Sequence, residues 1–360
     1  MTGMRWLIAE SADRIFREQC DKTCVDDAES GTWPQPLWDT LEEAGLTVAA
    51  VPEACGGAGG ALGDAMTVLR EAGRYAAPLP LAETTLAGWL LSRSGATVPS
   101  GPLTVAPVAA GEPLELRRTG HGWTLSGSAR QIPFAHQSAR LVVFASAQNQ
   151  PRIALVNPQD CHLRPAKSLA GEPRDDVAFD GVELAEENVI PAGDGVDLVA
   201  LQRLGALTRA VMMAGALDTV LTLTVRHTSD RVQFGRPIGK FQAVRQQIAV
   251  LGGEVAAAGR AADDAVFAAE TGDAAVQIAA AKVRVGEAAG VCAEISHQLH
   301  GAIGFTYEHA LHQFTRRLWS WRDEFGPEAH WALELGRGLT GSPDDVWAFL
   351  ADARLSTPEQ

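Results

Sequence analysis

The hydrophobic pattern changes character twice along the chain. Up to about residue 100, apolar positions recur at helical spacing between Gly and Pro punctuation. Leu37, Trp38, Leu41 and Ala44 mark one face of a helix that stops at Gly45, a C-cap signal. A turn is expected at Val51-Pro52-Glu53 and a loose loop at Gly56-Gly57-Ala58-Gly59-Gly60. Gly63 to Tyr75 then reads as helix until Pro78 and Pro80 halt it. From about 101 to 190 the period becomes two. The runs GWTLSGSARQI, RLVVFASA, RIALVN and DVAFDGVEL are β-branched and bounded by Gly, Pro, Asn or Asp, as strands of a small antiparallel domain are. Beyond about 196 the segments are long, Ala-rich and helical, with apolar residues on more than one face, which suits helices buried in a bundle or between subunits. The expected organisation is α+β: a helical domain over 1–100, a β-domain over 101–190, a helical bundle over 196–345 and a polar, frayed tail over 346–360.

Composition narrows the functional classes. The 360 residues are 46% hydrophobic and 6% aromatic, which suits two or three folded domains and excludes disorder, collagen and disulfide scaffolds. With 44 acidic against 30 basic residues, the formal net charge of -14 opposes binding to nucleic acid or to an anionic membrane surface. No uninterrupted apolar run reaches about 18 residues, so no membrane insertion is expected, and the N-terminal segment lacks the basic and hydrophobic blocks of a secretory signal. The cysteines are Cys20, Cys24, Cys55, Cys161 and Cys292. Their odd number, and a close pair (Cys20, Cys24) fitting neither a zinc knuckle nor a CxxC motif, point to a reducing, cytoplasmic setting. Helical spacing would stack that pair on one face as two buried thiols. His297, His300, His309 and His312 lack acidic or Cys partners at ligand spacing, so they are expected on a helix face and no metal site is expected. Trp319 and Trp321 are expected to pack the bundle rather than a ligand.

Two motifs carry chemistry. The first is Arg231-Val-Gln-Phe234-Gly235-Arg236-Pro237-Ile238-Gly-Lys-Phe241-Gln242, where one helix ends at Arg231, a Gly/Pro turn follows and another helix opens near Phe241. The second is Gln298-Leu-His300-Gly301-Ala302-Ile303-Gly304-Phe305, followed by Glu308 and Arg316. An arginine offers a planar fork to a phosphate, and a glycine-started helix offers bare N–H groups. On these two motifs, and more weakly on EEAGLTVAAVPEACGGAGG, the chain resembles the acyl-CoA dehydrogenase family over nearly its whole length. The family pattern R-x-x-F-G-x-x-[IL]-x-x-x-Q is kept from Arg231 to Gln242. The resemblance implies an N-terminal helical domain, a middle antiparallel β-domain and a C-terminal four-helix bundle, the order that the hydrophobic pattern gives independently. It implies FAD as cofactor, an acyl-CoA as substrate and an electron-transfer flavoprotein as acceptor. By the same resemblance, Arg231 and Phe234 contact the FAD pyrophosphate and adenosine, Gln242 and Gln298 add polar contacts, and the backbone at Gly301 and Ala302 approaches the phosphates. These groups serve an FAD whose flavin ring sits in the neighbouring subunit.

The departures from that pattern are equally informative. The family removes the substrate α-proton with a Glu, which must lie within hydrogen-bonding reach of that carbon. Counted without gaps, the usual position here is Phe325, and the position used by a minority of members is Gly205. Neither can accept a proton. Glu324 is one residue early, and a one-residue slip on a helix turns a side chain by about 100°; a gap or an irregular turn would restore it as a candidate base. The T-E-P-x-A-G-S-D loop that touches flavin and substrate is replaced by Leu103-Thr104-Val105-Ala106-Pro107 without GSD, and the W-x-T element by Gln131-Ile132-Pro133. The expected function is therefore α,β-desaturation of an acyl-CoA by a β-type subunit that completes the FAD site of a homologous Glu-bearing subunit. The alternatives are a self-sufficient homo-oligomer using Glu324 and a non-catalytic scaffold of the same fold.

Overall fold

The computed structural model describes residues 3–108, 111 and 113–341; the expected tail over 346–360 lies outside the described residues. The described chain divides into two compact units. One takes residues up to Ala72 and Ala77–Gly205, the other Gly73–Ala76 and the residues from Ala206 on.

In the first unit, five helices precede the sheet: α1 (Gly3–Gln19), α2 (Lys22–Glu29), α3 (Gln35–Glu43), α4 (Leu62–Arg74) and α5 (Leu81–Arg93). Helix α3 buries Leu37, Trp38 and Leu41 on one face, and Gly45 follows it at φ +69°, the left-handed conformation that glycine adopts without penalty. Helix α5 is apolar nearly all round, with Leu81, Ala82, Leu86, Ala87, Leu90 and Leu91 buried. Its Thr84 hydroxyl donates to the Leu103 carbonyl at 3.2 Å and accepts from the Leu103 N–H at 3.1 Å, which docks the first strand against it.

Eight strands follow: β1 (Leu103–Ala106), β2 (Leu114–Thr119), β3 (Gly122–Pro133), β4 (Arg140–Ala147), β5 (Gln150–Val156), β6 (His162–Arg164), β7 (Arg174–Leu184) and β8 (Val189–Pro191). They form one sheet in the order β6-β7-β3-β2-β4-β5-β8, with β1 paired to β4. The sheet is mixed where an antiparallel one was expected: β1 runs parallel to β4 with Leu103 opposite Arg140, and β2 meets β4 in parallel at Glu115–Ser146. All other pairings in it are antiparallel. Leu116, Leu125, Ile132, Leu141, Val143, Val156 and Phe179 build its core.

The second unit holds α6 (Leu198–Asp230, which begins in the first unit), a small hairpin of β9 (Val232–Gln233) and β10 (Arg236–Pro237), α7 (Gln242–Thr271), α8 (Ala275–His300), α9 (Leu311–Trp321) and α10 (Glu328–Gly341). Helices α7 and α8 form a hairpin, and α8 also packs on α9 and α10. Among the described residues, three long helices and two short ones make up this region. Among the described residues α6 alone is long and apolar enough to cross a bilayer, but 83% of its most apolar window is buried within the protein, as in a core helix.

Candidate functional site

The first motif folds as an exposed hairpin at the end of α6. The Arg231 N–H closes the last turn on the His227 carbonyl at 2.9 Å, and the Ile238 N–H returns to the Arg231 carbonyl at 2.9 Å. Phe234 and Gly235 occupy the two-residue turn at φ +53° and φ +78°, the paired positive values of a type I′ turn. Phe234 is therefore held at the tip, 90% exposed. Behind it, Phe241 stands edge-on with ring centroids 6.0 Å apart, under the Arg236 guanidinium at 4.2 Å. Arg231 and Gln242 are exposed beside this tip. Asp230, the acid next to Arg231, points instead to Arg226 at 3.7 Å.

The second motif ends α8. Gly301 takes φ +63°, ψ −144°, a conformation open only to glycine, with no atom near the place where a Cβ would sit. Gln298, Gly301 and Ala302 are exposed. Behind them lie histidines that the sequence placed on a helix face: His297 and His300 are buried. His300 stacks on His227 at 4.4 Å and meets His309 edge-on at 4.7 Å. The contact joins the end of α6 to the end of α8 and so brings the two motifs together. Burial, with neighbouring imidazoles adding to it, pushes His300 down to about 4, and burial lowers His227, His297 and His309 as well. His297 also bonds the Thr315 hydroxyl at 2.9 Å and stacks on Trp319, while Trp321 is buried. No metal-binding group of side chains occurs among the described residues.

The position expected for the base is built as a structural knot. After α9 the chain turns through Phe325 at φ +53° and Gly326 at φ +99°, so the irregular turn that could have restored Glu324 does exist. It delivers Glu324 to Arg209 on α6: the guanidinium Nε donates to the carboxylate at 2.6 Å, and the guanidinium carbon lies 5.8 Å from the centre of the Phe325 ring. Lys282, fully buried on α8, donates to the Arg322 carbonyl at 2.6 Å and the Gly326 carbonyl at 2.8 Å. Burial pulls its ammonium down to about 8 against the raising influence of Glu328, Glu324 and Asp323. Trp331 fastens the Phe325 carbonyl at 3.0 Å, and Arg322 holds Glu328 at 2.8 Å. Gly205, buried, lies one turn before Arg209 on α6. Arg209 and Lys282 were missed in the sequence, where a lone charge in an Ala-rich helix carries no motif.

In the β-domain, the segment Gln131-Ile132-Pro133 is a bulge. The β3–β7 register slips between Ala129 and Ile132, and Gln131 sits at φ +54° with its N–H on Asp176 at 3.2 Å. The buried Thr104 hydroxyl is already committed to the Pro133 carbonyl at 2.6 Å. A separate cavity of about 820 Å³ opens beside β2, β4 and β5, lined by Arg117, Arg118, Trp123, Asn149 and Arg152. The Arg118 and Arg152 guanidinium carbons lie 5.5 and 4.7 Å from the centre of the Trp123 ring.

The acyl-CoA dehydrogenase N-terminal domain matches residues 5–97 and the acyl-CoA dehydrogenase C-terminal domain residues 197–329. The acyl-CoA dehydrogenase IpdE2 of Mycobacterium tuberculosis is 32% identical over 287 residues, covering 79% of this chain and 80% of that protein. The chain belongs to the acyl-CoA dehydrogenase family. Among solved structures it is similar to the ChsE4–ChsE5 complex of Mycobacterium tuberculosis, with a TM-score of 0.86 and 23% identity over 96% of this chain and 99% of that one. It is also similar to a variant of the Tcur3481–Tcur3483 steroid ACAD, with a TM-score of 0.82 and 26% identity over 93% of this chain and 97% of that one.

The residues expected at the FAD phosphates and adenosine are exposed: the Arg231 fork, Phe234 at the hairpin tip, and Gly301, where no atom lies near the place of a Cβ. At the stretches expected in place of the flavin-contacting loops, the Thr104 hydroxyl donates to the Pro133 carbonyl and Gln131 lies in a bulge.

Proposed function

We propose that this chain is a subunit of an acyl-CoA dehydrogenase that completes the FAD site of a homologous, Glu-bearing partner and does not itself abstract the substrate α-proton. The observation that carries this reading is the Arg209–Glu324 pair: the carboxylate next in sequence to the expected base position is engaged by a buried guanidinium. FAD bound at the shared site would accept the β-hydride of the acyl-CoA. This chain's part is to hold phosphates with Arg231, with Gln242 and Gln298 alongside and the bare Gly301–Ala302 segment approaching them, and to offer Phe234 to the adenine. The partner supplies the base and the surroundings of the flavin ring, and an electron-transfer flavoprotein takes the electrons onward. The titles of the ChsE4–ChsE5 complex and of the Tcur3481–Tcur3483 steroid ACAD favour a two-chain enzyme and a bulky acyl group.

The test is to assay the purified chain, supplied with FAD, against a panel of acyl-CoAs with an artificial electron acceptor, alone and after co-expression with a homologous Glu-bearing chain. Turnover and a flavin spectrum are expected only for the pair. Loss of the base forfeits about 10²–10⁴-fold in rate. Turnover by the chain alone, abolished by Glu324→Gln, would overturn the reading and make Glu324 the base of a homo-oligomer. A colourless, inert pair would favour the scaffold.

A further inference from the structure

Cys20 and Cys24 lie across the break between α1 and α2 rather than on one helix face. The titratable side chains that do gather at one junction are histidines, and they gather behind the two motifs. His227 comes from α6, His300 ends α8 directly before Gly301, and His309 belongs to the turn that leads into α9. The His300 ring stacks on His227 with centroids 4.4 Å apart and meets His309 edge-on at 4.7 Å. His227 and His309 are themselves 6.3 Å apart, so the three rings form one group. Gly304 lies directly on it: a Cβ there would stand 2.9 Å from the His300 Cβ and 3.3 Å from the His297 Nδ1.

Hydrogen bonds fix where the ring protons lie. His300 Nδ1 is 2.7 Å from the Ser296 carbonyl, which can only accept, so Nδ1 carries a proton. In the neutral ring Nε2 is then a bare acceptor, and that atom is buried without a hydrogen-bond partner among the described residues. His309 has the opposite tautomer: its Nδ1 accepts the Leu311 N–H at 3.1 Å, which leaves the proton on Nε2. A further proton on His300 can enter only at Nε2.

In the chain alone that proton is disfavoured. Burial, opposed by the Ser296 carbonyl and reinforced by His227, His309 and His297, holds His300 down to about 4. His227 is lowered by burial and then by Arg231, against Asp230, and His309 by burial and then by His227. An anion beside the group reverses this balance, because a nearby negative charge favours the imidazolium and a buried charge is little screened. There is room for one: nothing lies within 4 Å of the place of a Cβ at Gly301, and Arg231 is exposed.

We propose that His227, His300 and His309 couple the binding of a diphosphate at the two motifs to the uptake of one proton at His300 Nε2. The inference rests on the proposed function, in which these motifs hold the diphosphate of FAD. The unfilled Nε2 and the open place at Gly301 are the features that suit that group. The proton adds to the ring lone pair, the ring gains one positive charge, and no bond of the diphosphate changes. Affinity then rises as pH falls, by up to about tenfold per pH unit wherever the bound ring is protonated and the free ring is not.

The test is calorimetric titration of the full-length chain with ADP-ribose, whose diphosphate is esterified at both ends as in FAD and does not titrate near neutrality. Each pH is measured in two buffers of different ionisation enthalpy, which counts the protons exchanged. Affinity is expected to rise roughly three- to tenfold from about pH 7 to about pH 6, with net proton uptake. His300→Phe, which keeps the ring stack, should remove both the uptake and the pH dependence. The proton count in the parent decides even where the variant folds poorly. Binding that is lost in Arg231→Ala but takes up no proton in the parent would overturn this proposal and leave the proposed function standing. Uptake that persists in His300→Phe would overturn it as well. No binding of ADP-ribose at any pH would overturn the proposed function and this proposal with it.

Discussion

Arg209 on α6 and Glu324 beyond α9 are joined at 2.6 Å, the arginine side chain 2% exposed and the glutamate 19%. A carboxylate in that position supports a fold more readily than it moves a proton. Removing one partner of a buried pair strands the other charge, which typically costs about 3–5 kcal/mol. Arg209→Ala should therefore lower the melting temperature strongly. The same change should leave the joint activity per folded assembly unaltered, since under the proposed function the base lies in the other chain. Differential scanning fluorimetry beside a turnover assay separates the two effects.

Arg231→Ala should reduce FAD retention by the assembled enzyme without unfolding this chain. Loss of a charge-assisted contact is typically about 1.5–3 kcal/mol, or roughly 10- to 150-fold in affinity. Gln298→Ala should act in the same direction and more weakly, as a neutral donor contributes about 0.5–1.5 kcal/mol. Flavin fluorescence released on dilution reads both.

The imidazole group at the end of α8 predicts acid sensitivity. His300 is held down to about 4 in the fold against 6.5 for the ordinary side chain, so the unfolded chain binds more protons between those values. Its contribution is complete above pH 6.5 and is lost as pH falls towards 4, and the lowered His227, His297 and His309 act in the same sense. Melting temperature should drop across that window. His300→Phe, which keeps an aromatic ring against His227, should flatten the drop, and an unchanged slope would count against the assignment.

Lys282 predicts the opposite limb. Its ammonium titrates at about 8 in the fold against 10.5 when unfolded. Stability linked to this group is absent below pH 8 and rises as pH climbs towards 10.5, on the order of 3 kcal/mol in full. Comparing the alkaline stability profiles of the parent and Lys282→Met isolates it. The parent should gain on the variant as pH rises.

Much of this architecture is legible in the sequence. The helix ending at Gly45 and the strands β3, β4, β5 and β7 follow from local spacing and punctuation. What escapes is set by distant partners. The strand β1 is only four residues long, fully buried, and shows no alternation. The two motifs around Arg231 and Gly301, exposed in the fold, stand out in the sequence because their spacing is dense and local. Arg209 and Lys282 were not, because each acts on a backbone or carboxylate more than a hundred or some forty residues away. His227 could have been noticed: it stands one helical turn before Arg231, on the same face as the arginine.

The parallel pairing of β1 with β4 also orders events during synthesis. Strand β1 leaves the ribosome first, yet its partner edge, from Leu103 opposite Arg140 to Ala106 opposite Val143, is made only after the whole β2–β3 hairpin has emerged. The hairpin can close locally, whereas β1 must wait for a non-local contact whose loop entropy is met late. Until then β1 has α5, through Thr84 and Leu103, as its early support. A nascent chain halted before residue 140 should hold a protease-resistant helical segment and a sheet still open at β1.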